Sequence, residues 1–475
     1  MVTIQLGGNI VSDITETITV DLANTKYVFE GWGTSLCWWA NVLGKKDWSD
    51  EFRSDLLDEI FTLKSGGLGL NVARYNIGGG DNPTHNHTLY GRGMDGFLNE
   101  DGSYDWSKDE SQISILKEAI RRGCNVIDAF SNSPPYFLTE SGCSTGNIEG
   151  KSNLKEENCE IFADYLVRVV KYFKEVLCIS FHSLEPFNEP SGTWWFAEST
   201  SEGCHLDNGT QQTLLRHVAM KLRDNRLAKI LLSAPGECTI ADTNHTFSEY
   251  SPDVRSVIGQ LSTHSYYGGI KDSIQFQQNA KDYGLRPCVS EFGGGEGGHS
   301  HVSMDSALVL ASAIHSDLRY IQPATWCMWQ VCEDEAVQVK DDINWGPIHL
   351  YFDKRNTPDS QTDRYWLTKQ FYAFANYTRF IRPGYSILEC NSDSATVAHS
   401  SVDNKLVAVI VNPLCDYRNV KFFSWQPLYS NSKLSIYRTS RFESLVKLSN
   451  QISIDIDTEF KLIPHSVTTF EFDLF

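Results

Sequence analysis

Two acidic segments of the 475-residue chain carry residue types that suit acid/base chemistry. The first contains Glu189 directly after Asn188, and the second contains Glu291. If the two carboxyl groups meet, one can stay protonated and supply a proton while the other, ionised, attacks or stabilises a cationic centre. Hydrolysis of a glycosidic bond needs such a pair. Taken singly, each glutamate is explained as readily by a helix cap or by an ion pair with an arginine.

Eight apolar runs alternate with segments of helical periodicity, and we interpret them as parallel strands. They cover residues 27–39, 69–80, 125–137, 179–190, 229–237, 259–268, 286–295 and 320–330. This pattern predicts a (β/α)₈ barrel, with an open doubly wound sheet as the alternative because periodicity cannot show closure. Barrel enzymes carry their chemistry at the C-terminal ends of the strands. Glu189 on the fourth run and Glu291 on the seventh are therefore expected at one barrel mouth.

The pattern changes after residue 380 to short strands of alternating polarity separated by polar turns. Residues 14–22 alternate in the same way, so we expect them to join the C-terminal strands. The sequence thus predicts a catalytic barrel over residues 25–380. Residues 1–24 together with 381–475 are predicted to form an antiparallel β-sandwich.

Composition excludes several classes of partner. The formal charge of −19 would repel nucleic acid and anionic lipid, and no apolar run is long enough to span a bilayer. The opening residues lack a secretory signal, so we expect a cytoplasmic protein unless a leader has been removed. The 12 cysteines are scattered, which indicates small buried residues, with one or two disulfides only in an exported protein. We expect a monomer without a cofactor.

The acidic segments, together with several others in the same order, resemble glycoside hydrolase family 30, a family of clan A retaining enzymes. The resemblance rests on residues 30–40 (EGWGTSLCWWA), 70–81 (LNVARYNIGGGD), 131–137 (SNSPPYF), 374–385 (FANYTRFIRPGY) and 462–472 (LIPHSVTTFEF). It implies a (β/α)₈ barrel fused to a β-sandwich built from both termini. Segments 33–40 and 201–212 are most similar to the endo-β-1,6-galactanase branch.

The resemblance implies that an oligo- or polysaccharide is the substrate, with β-1,6-linked galactan as the first hypothesis. Other activities of the family remain open: β-1,6-glucanase, xylanase, glucosylceramidase or exo-β-glycosidase. An alternative of a different class is a carbohydrate-binding barrel that has lost catalysis.

Transferred position by position, the resemblance makes Glu189 the general acid/base and Glu291 the nucleophile. Asn188 would donate to the sugar 2-hydroxyl. Arg74, on the second predicted strand, is expected to hold the pKa of Glu291 down. His264 would lie beside Glu291, although a core histidine is the alternative.

Tyr266 would orient Glu291 through its hydroxyl. Asp128 and Glu237, at the ends of the third and fifth predicted strands, are candidates for hydrogen bonds to sugar hydroxyls, with a structural salt bridge as the alternative for each.

Tryptophans at the ends of the first and last predicted strands are candidates for stacking on a sugar ring. Alternate side chains of a strand point in opposite directions, so some of these rings must pack against helices. We expect Trp38 and Trp326 to face the sugar rather than Trp39 and Trp329.

Three other kinds of site have weaker signals. The glycine run at residues 293–298 lacks the lysine and the spacing of a phosphate-binding loop, and the chain has no GxSxG segment. His85 with His87, and His299 with His301, have the HxH spacing of metal ligands. Neither pair ends a predicted strand, so metal catalysis is not expected.

Overall fold

The computed structural model describes residues 15–295, 297–358, 363–424, 433–453 and 458–474. Eight parallel strands, β2 to β9, close into a barrel. Seven of them lie within a predicted run, and β6 extends two residues past the end of its run. The predicted (β/α)₈ barrel is confirmed. A strand β1 (Thr15–Val28) precedes the barrel. The barrel strands are β2 (Gly31–Ser35), β3 (Val72–Asn76), β4 (Val126–Phe130), β5 (Ser183–Glu185), β6 (Leu231–Thr239), β7 (Gln260–Tyr267), β8 (Arg286–Glu291) and β9 (Thr325–Gln330).

Helices surround the barrel and bury one face each. In α2 the hydroxyl of Ser49 accepts from the Phe52 backbone N–H at the first turn, and the predicted face with Leu56 and Ile60 is buried. No helix among the described residues is long and apolar enough to cross a membrane. The helices are α1 (Cys37–Leu43), α2 (Asp50–Phe61), α3 (Glu110–Arg121), α4 (Cys159–Glu175), α5 (Asn208–Asp224), α6 (Ile240–Glu249), α7 (Pro252–Arg255), α8 (Ile270–Tyr283), α9 (Asp305–Tyr320), α10 (Glu335–Asp341) and α11 (Lys369–Thr378).

The first predicted strand was too long. Strand β2 ends at Ser35, and α1 begins two residues later at Cys37, whose backbone φ of 44° turns the chain. Trp38 and Trp39 therefore lie on a helix and not on a strand. Alternation along a strand could not predict the direction of either ring.

Three short strands form a small sheet that the sequence did not predict. They are β10 (Cys332–Asp334), β11 (Ile348–Leu350) and β12 (Tyr365–Leu367). The small sheet has the order β10-β11-β12 and follows the last barrel strand. It holds the chain segment around Trp345 near the C-terminal ends of the barrel strands.

A nine-stranded sheet makes up the second part of the molecule, as the sequence predicted. Its order is β18-β17-β20-β15-β14-β13-β1-β16-β19, and its pairings are antiparallel except for β1 with β16. Residues 1–14 of the predicted module lie outside the described part of the chain. The strands beyond β1 are β13 (Ser386–Cys390), β14 (Ala395–Ser400), β15 (Lys405–Asn412), β16 (Arg418–Ser424), β17 (Lys433–Ser440), β18 (Glu443–Ser453), β19 (Phe460–Leu462) and β20 (Ser466–Asp473).

Barrel and sheet share a packed interface. The indole N–H of Trp32, on β2, donates to the Ile381 carbonyl oxygen at 2.7 Å. Helix α11 lies between the two parts, where the Asn376 side-chain amide donates to the Thr469 hydroxyl at 2.8 Å. Buried side chains of both parts belong to one hydrophobic cluster.

The cysteines form no covalent links. All 12 are free thiols, and most are buried. The disulfides that the sequence left open for an exported protein are therefore not formed.

Candidate active site

Two buried glutamates meet at the C-terminal end of the barrel. Glu189 follows β5, and Glu291 is the last residue of β8. A carboxylate oxygen of Glu189, one of Glu291 and a ring nitrogen of His264 lie within 4.8 Å of one another. The side chains are 9% and 6% exposed, so bulk water screens their interaction little.

Arg74 is the cation of the site. Its Nη1 donates to Oε2 of Glu291 at 2.9 Å, and its Nη2 donates to Oδ1 of Asn188 at 2.8 Å. The guanidinium also lies over the Phe130 ring, with its carbon 3.6 Å from the ring centroid. The structure thus brings Arg74, Asn188 and Glu291 together as the sequence predicted.

Glu185 is a member of this cluster that sequence reasoning missed. Its Oε2 accepts from Arg74 at 3.2 Å and its Oε1 accepts from the Ser262 hydroxyl at 2.6 Å. Gly236 has a φ of 61°, and a Cβ atom there would lie 2.0 Å from Glu185 Oε1. A glycine at this position of β6 therefore leaves room for the Glu185 carboxylate. The available signal was the position of Glu185 at a predicted strand end.

His264 lies between the two glutamates. Its Nδ1 is 2.9 Å from Oε1 of Glu189 and 3.4 Å from Oε1 of Glu291. Burial lowers the pKa of His264 to about 4, so the ring is neutral at pH 7. The hydroxyl of Tyr266 donates to Oε1 of Glu291 at 2.8 Å. His264 and Tyr266 therefore lie at the positions expected for them.

The two glutamates have different surroundings. Burial raises the pKa of Glu189 to about 7, opposed by hydrogen bonds from the Cys238 thiol and the Trp194 indole and by the charge of Arg74. Burial also raises the pKa of Glu291, against the lowering effects of His264, Arg74 and Tyr266. Arg74 lowers the pKa of Glu291, as expected, but burial outweighs this charge and the net shift of the pKa is upward.

Glu189 is held in an uncommon backbone conformation. Its φ is 45°, in the left-handed region that residues with a Cβ rarely adopt, and its N–H donates to the Gly236 carbonyl oxygen. Nearby, Oε2 of Glu237 accepts from both the backbone N–H and the hydroxyl of Ser191. Glu237 therefore anchors the segment that carries Glu189. Its expected contact with sugar hydroxyls, or a salt bridge, is corrected to this hydrogen-bonding role.

A cavity of about 420 Å³ opens above the glutamates. Its size suits a few sugar units or part of a chain. Trp38 lines it as expected, edge-on to Trp329 with ring centroids 5.3 Å apart. The further lining residues include side chains that sequence reasoning did not select, namely Trp194, Trp195, Glu202, Glu333 and Trp345. The paired tryptophans four residues after Pro190 were the signal that went unused.

Trp326 was expected to face the sugar, and this was wrong. It is fully buried, its indole N–H donates to Asp317 at 2.8 Å, and its ring packs against Trp32 and Phe374. Trp329 lies three residues further along β9, so its side chain points to the opposite face, into the cavity. The choice between the two rings depended on strand parity, which the run of apolar residues did not fix.

Asp128 was expected to contact sugar hydroxyls and does not line the cavity. It lies two residues before Phe130 on the same face of β4, deeper in the barrel. Its Oδ1 accepts from the Ser183 hydroxyl at 2.6 Å. Burial favours a higher pKa, but His182 and the charge of Arg286 lower the pKa of Asp128 overall.

Two other groups of side chains in the described residues have metal-ligand chemistry. One contains Asp81, His85, His87 and Cys143, and the other contains His299, His301, Glu335 and His349. The two HxH pairs of the sequence thus each meet an acidic side chain. Neither group includes Glu189 or Glu291.

Comparison with known proteins agrees with this geometry. A family model described as O-glycosyl hydrolase family 30 matches residues 15–341. An endo-β-1,6-galactanase from Hypocrea rufa is 29% identical over 83% of this chain and 81% of its own length. An exo-β-1,6-galactobiohydrolase from Bifidobacterium longum is 26% identical over 68% of this chain, which spans only 28% of that larger protein.

Solved structures share the fold along nearly the whole chain. A conserved exported protein from Bacteroides fragilis superposes with a TM-score of 0.80 at 20% identity, covering 96% of this chain and 100% of that one. A family 30 subfamily 8 xylanase from Clostridium acetobutylicum gives a TM-score of 0.68 at 19% identity, with coverage of 96% and 99%.

A closed barrel with two glutamates at its mouth and a fused β-sheet is the architecture of an O-glycosyl hydrolase, and the family match establishes that class. The chain belongs to glycoside hydrolase family 30.

Proposed function

We propose that the protein is a retaining endo-β-1,6-galactanase, with Glu291 as nucleophile and Glu189 as general acid/base. One observation carries the retaining mechanism: oxygens of the two carboxylates lie within 4.8 Å of each other. Retaining pairs stand ~5–5.5 Å apart and inverting pairs ~6.5–9.5 Å, since the latter must admit a water molecule.

The contacts of each carboxylate assign the two roles. Glu291 accepts from the charged Arg74 guanidinium and from the Tyr266 hydroxyl, so its ionised form is the better stabilised. Glu189 contacts the neutral His264, and burial raises its pKa to about 7. Glu189 therefore keeps a proton near neutral pH while Glu291 is the carboxylate.

In the first step Glu291 attacks the anomeric carbon. The bond from that carbon to the leaving oxygen breaks, and Glu189 transfers its proton to this oxygen. The product is a glycosyl ester on Glu291 and a freed sugar hydroxyl. Asn188, fixed by Arg74, faces the cavity and is placed to bind the 2-hydroxyl.

In the second step Glu189 removes a proton from water, and the water oxygen attacks the anomeric carbon as the ester bond to Glu291 breaks. Ester formation removes the negative charge of Glu291, so the pKa of Glu189 falls and Glu189 can serve as the base. Two inversions at one carbon give net retention.

The substrate proposal rests on the two relatives, whose names both specify β-1,6-galactosyl linkages. Endo action is supported by aromatic surface at the rim of the cavity. Trp194 is 45% exposed and Tyr267 is 72% exposed, so both can stack on sugar units beyond the cleavage point.

A panel of substrates tests the proposal. We expect β-1,6-galactan and β-1,6-galacto-oligosaccharides to be cut to a range of product lengths. NMR should show that the newly formed reducing end first has the β configuration. Cleavage of β-1,6-glucan or xylan in place of galactan would contradict the substrate. A single short product from the chain end would contradict endo action, and an α-configured first product would contradict retention.

A further inference from the structure

Three loops that follow successive barrel strands meet beside the cavity. The loop after β3 carries Asp81, His85 and His87, and the loop after β4 carries Cys143. One ligand atom from each of these four side chains lies within 4.8 Å of the others. The segment after β5 lies against them and also supplies residues of the cavity wall.

The distances suit a tetrahedral ion. Sγ of Cys143 is 3.5 Å from Nδ1 of His85 and 3.5 Å from Nε2 of His87. Nδ1 of His85 is 3.6 Å from Oδ1 of Asp81. A zinc ion with bonds of ~2.3 Å to sulfur and ~2.0–2.1 Å to nitrogen holds those ligands about 3.6 Å apart in tetrahedral geometry.

The surrounding hydrogen bonds leave the ligand atoms free to face one centre. Nδ1 of His87 is 2.7 Å from the Ser199 carbonyl oxygen, so it carries the proton and Nε2 presents a lone pair to Cys143. The Thr88 hydroxyl donates to Oδ2 of Asp81. Oδ1 accepts from the Asn82 backbone N–H and has a second lone pair for the cluster.

Cys143 lies among several polar groups. Its Sγ is 2.6 Å from the Ala197 carbonyl oxygen, which also accepts from the Thr145 hydroxyl at 2.8 Å. Sγ faces the lone pair of His87 Nε2 as well. A cation among a thiolate, two imidazoles and a carboxylate would bind the lone pairs that these four side chains present to one another.

The second histidine group differs from this cluster because it contains no cysteine. Its three rings, His299, His301 and His349, all face the carboxylate of Glu335 at 3.1–3.2 Å. The other ring nitrogen of His349 faces the Trp345 carbonyl oxygen at 2.8 Å. Without a thiol, this group cannot give a thiolate signal, and it serves as a control for the cluster around Cys143.

We propose that Asp81, His85, His87 and Cys143 bind one zinc ion. The protein fills all four positions, so the site is structural and has no open position for a substrate. Binding takes up the ion and releases the thiol proton of Cys143. The ion would tie the loops after β3 and β4 together. The segment that carries Trp194 and Glu202 packs on this cluster through its Ala197 and Ser199 carbonyl oxygens, so the ion would also support the cavity wall.

Cobalt substitution tests the ligand set. Protein made without a histidine tag and stripped by chelator is titrated with Co²⁺, which gives a thiolate charge-transfer band only when sulfur is bound. We expect the band in the wild type and its loss in Cys143→Ser and in His87→Gln. The control variants Cys178→Ser, at an exposed cysteine, and His301→Gln should keep the band. No band in the wild type, or a band that survives Cys143→Ser, would overturn the proposal.

Zinc binding and thermal stability give readouts that do not depend on any glycosidase activity. With Zn²⁺ restored, we expect about one tightly held ion per chain and a Tm several degrees above that of the stripped protein. The increase should vanish in His87→Gln and persist in His301→Gln. An unchanged Tm after chelation and readdition would contradict a structural role.

Discussion

The two levels of the barrel interior treat buried carboxylates in opposite ways. Deeper in the barrel, Asp128 has a lowered pKa, and its neighbour Ser183 is hydrogen-bonded to Gln260 in turn. At the mouth, burial raises the pKa of both Glu189 and Glu291. All three carboxylates are nearly inaccessible to solvent. The partners of a carboxylate, and not its depth, therefore decide whether it serves stability or chemistry.

The upper level has unused hydrogen-bonding capacity. Nε2 of His264 and Nε of Arg74 are buried without a hydrogen-bond partner. Buried groups without partners lower the stability of the fold, and the left-handed backbone of Glu189 lowers it further. Such costs are typical of catalytic sites, where groups are held ready for a substrate or a transition state.

Removing the nucleophile should give the largest effect. Glu291→Gln keeps the shape of the side chain but cannot form the glycosyl ester, so kcat should fall on the order of 10⁴-fold or more. Hydrolysis of a chromogenic β-galactoside measures it. Asp128→Asn is the matched control in the lower level and should keep nearly the wild-type kcat. Equal losses in both variants would remove the distinction between the levels.

Replacing the general acid should cost less. Glu189→Gln is expected to lower kcat by about 10²–10⁴-fold with a poor leaving group. The loss should shrink with an activated leaving group, which needs no proton. Added azide should restore turnover and give a β-glycosyl azide, because an anion can replace the water that Glu189 no longer activates. If azide neither restores turnover nor gives a glycosyl azide, the result would argue against a glycosyl ester on Glu291.

The pH profile should show the raised pKa of Glu189 directly. Because the general acid must be protonated, kcat/KM should fall about tenfold per pH unit above a pKa of about 7. Asp128→Asn should keep this alkaline limb, and Glu189→Gln should lose it. A limb that stays in place in Glu189→Gln would assign the titration to another group.

Two tryptophans of β9 separate binding from packing. Trp329→Ala should raise KM by a factor between about two and ten, because an aromatic contact contributes ~0.5–1.5 kcal/mol to binding. Trp326→Phe should leave KM unchanged and lower Tm, because Asp317 loses a buried donor. Steady-state kinetics and thermal melts on both variants check this. A raised KM in Trp326→Phe alone would restore the original choice of ring.

The smallest effect on turnover is expected for Asp128→Asn, whose change should appear in stability. The lowered pKa of Asp128 means that its ionised form stabilises the native state above the unfolded-state pKa of ~3.9. This contribution is lost as pH falls through the folded-state pKa. The variant should be less stable by about 1–2 kcal/mol at pH 7, with the difference shrinking in acid. Urea unfolding of both proteins at pH 7 and in acid measures this difference in stability.

Periodicity predicted the fold because barrel strands are short buried runs and each crossover helix carries its own apolar face. Seven of the eight strands lie within the predicted runs, and β6 extends two residues past its run. The same logic placed Glu189 and Glu291 at one mouth, since parallel strands end at the same side of a barrel. The family resemblance, and not periodicity, indicated that His264 and Tyr266 lie beside the glutamates.

The remaining features depend on geometry that a local pattern does not contain. The direction of the Trp326 side chain depended on strand parity. The role of Glu237 depended on the loop after β5, which brings Ser191 to its carboxylate. The net pKa of Glu291 depended on how far burial outweighs Arg74. Cys143 meets His87 only because two long loops converge, which no spacing in the sequence indicates.

Strand β1 has a consequence for the order in which the chain can fold. It is made early but pairs with β13 and β16, which begin at Ser386 and Arg418. At ~5–20 residues per second, a ribosome needs tens of seconds to reach these partners. The barrel can assemble meanwhile, while β1 waits with both edges unpaired. Polar residues such as Glu16 and Asp21 in β1 lower its tendency to aggregate during that interval. Synthesis that stops before β13 would leave the strand permanently without a sheet.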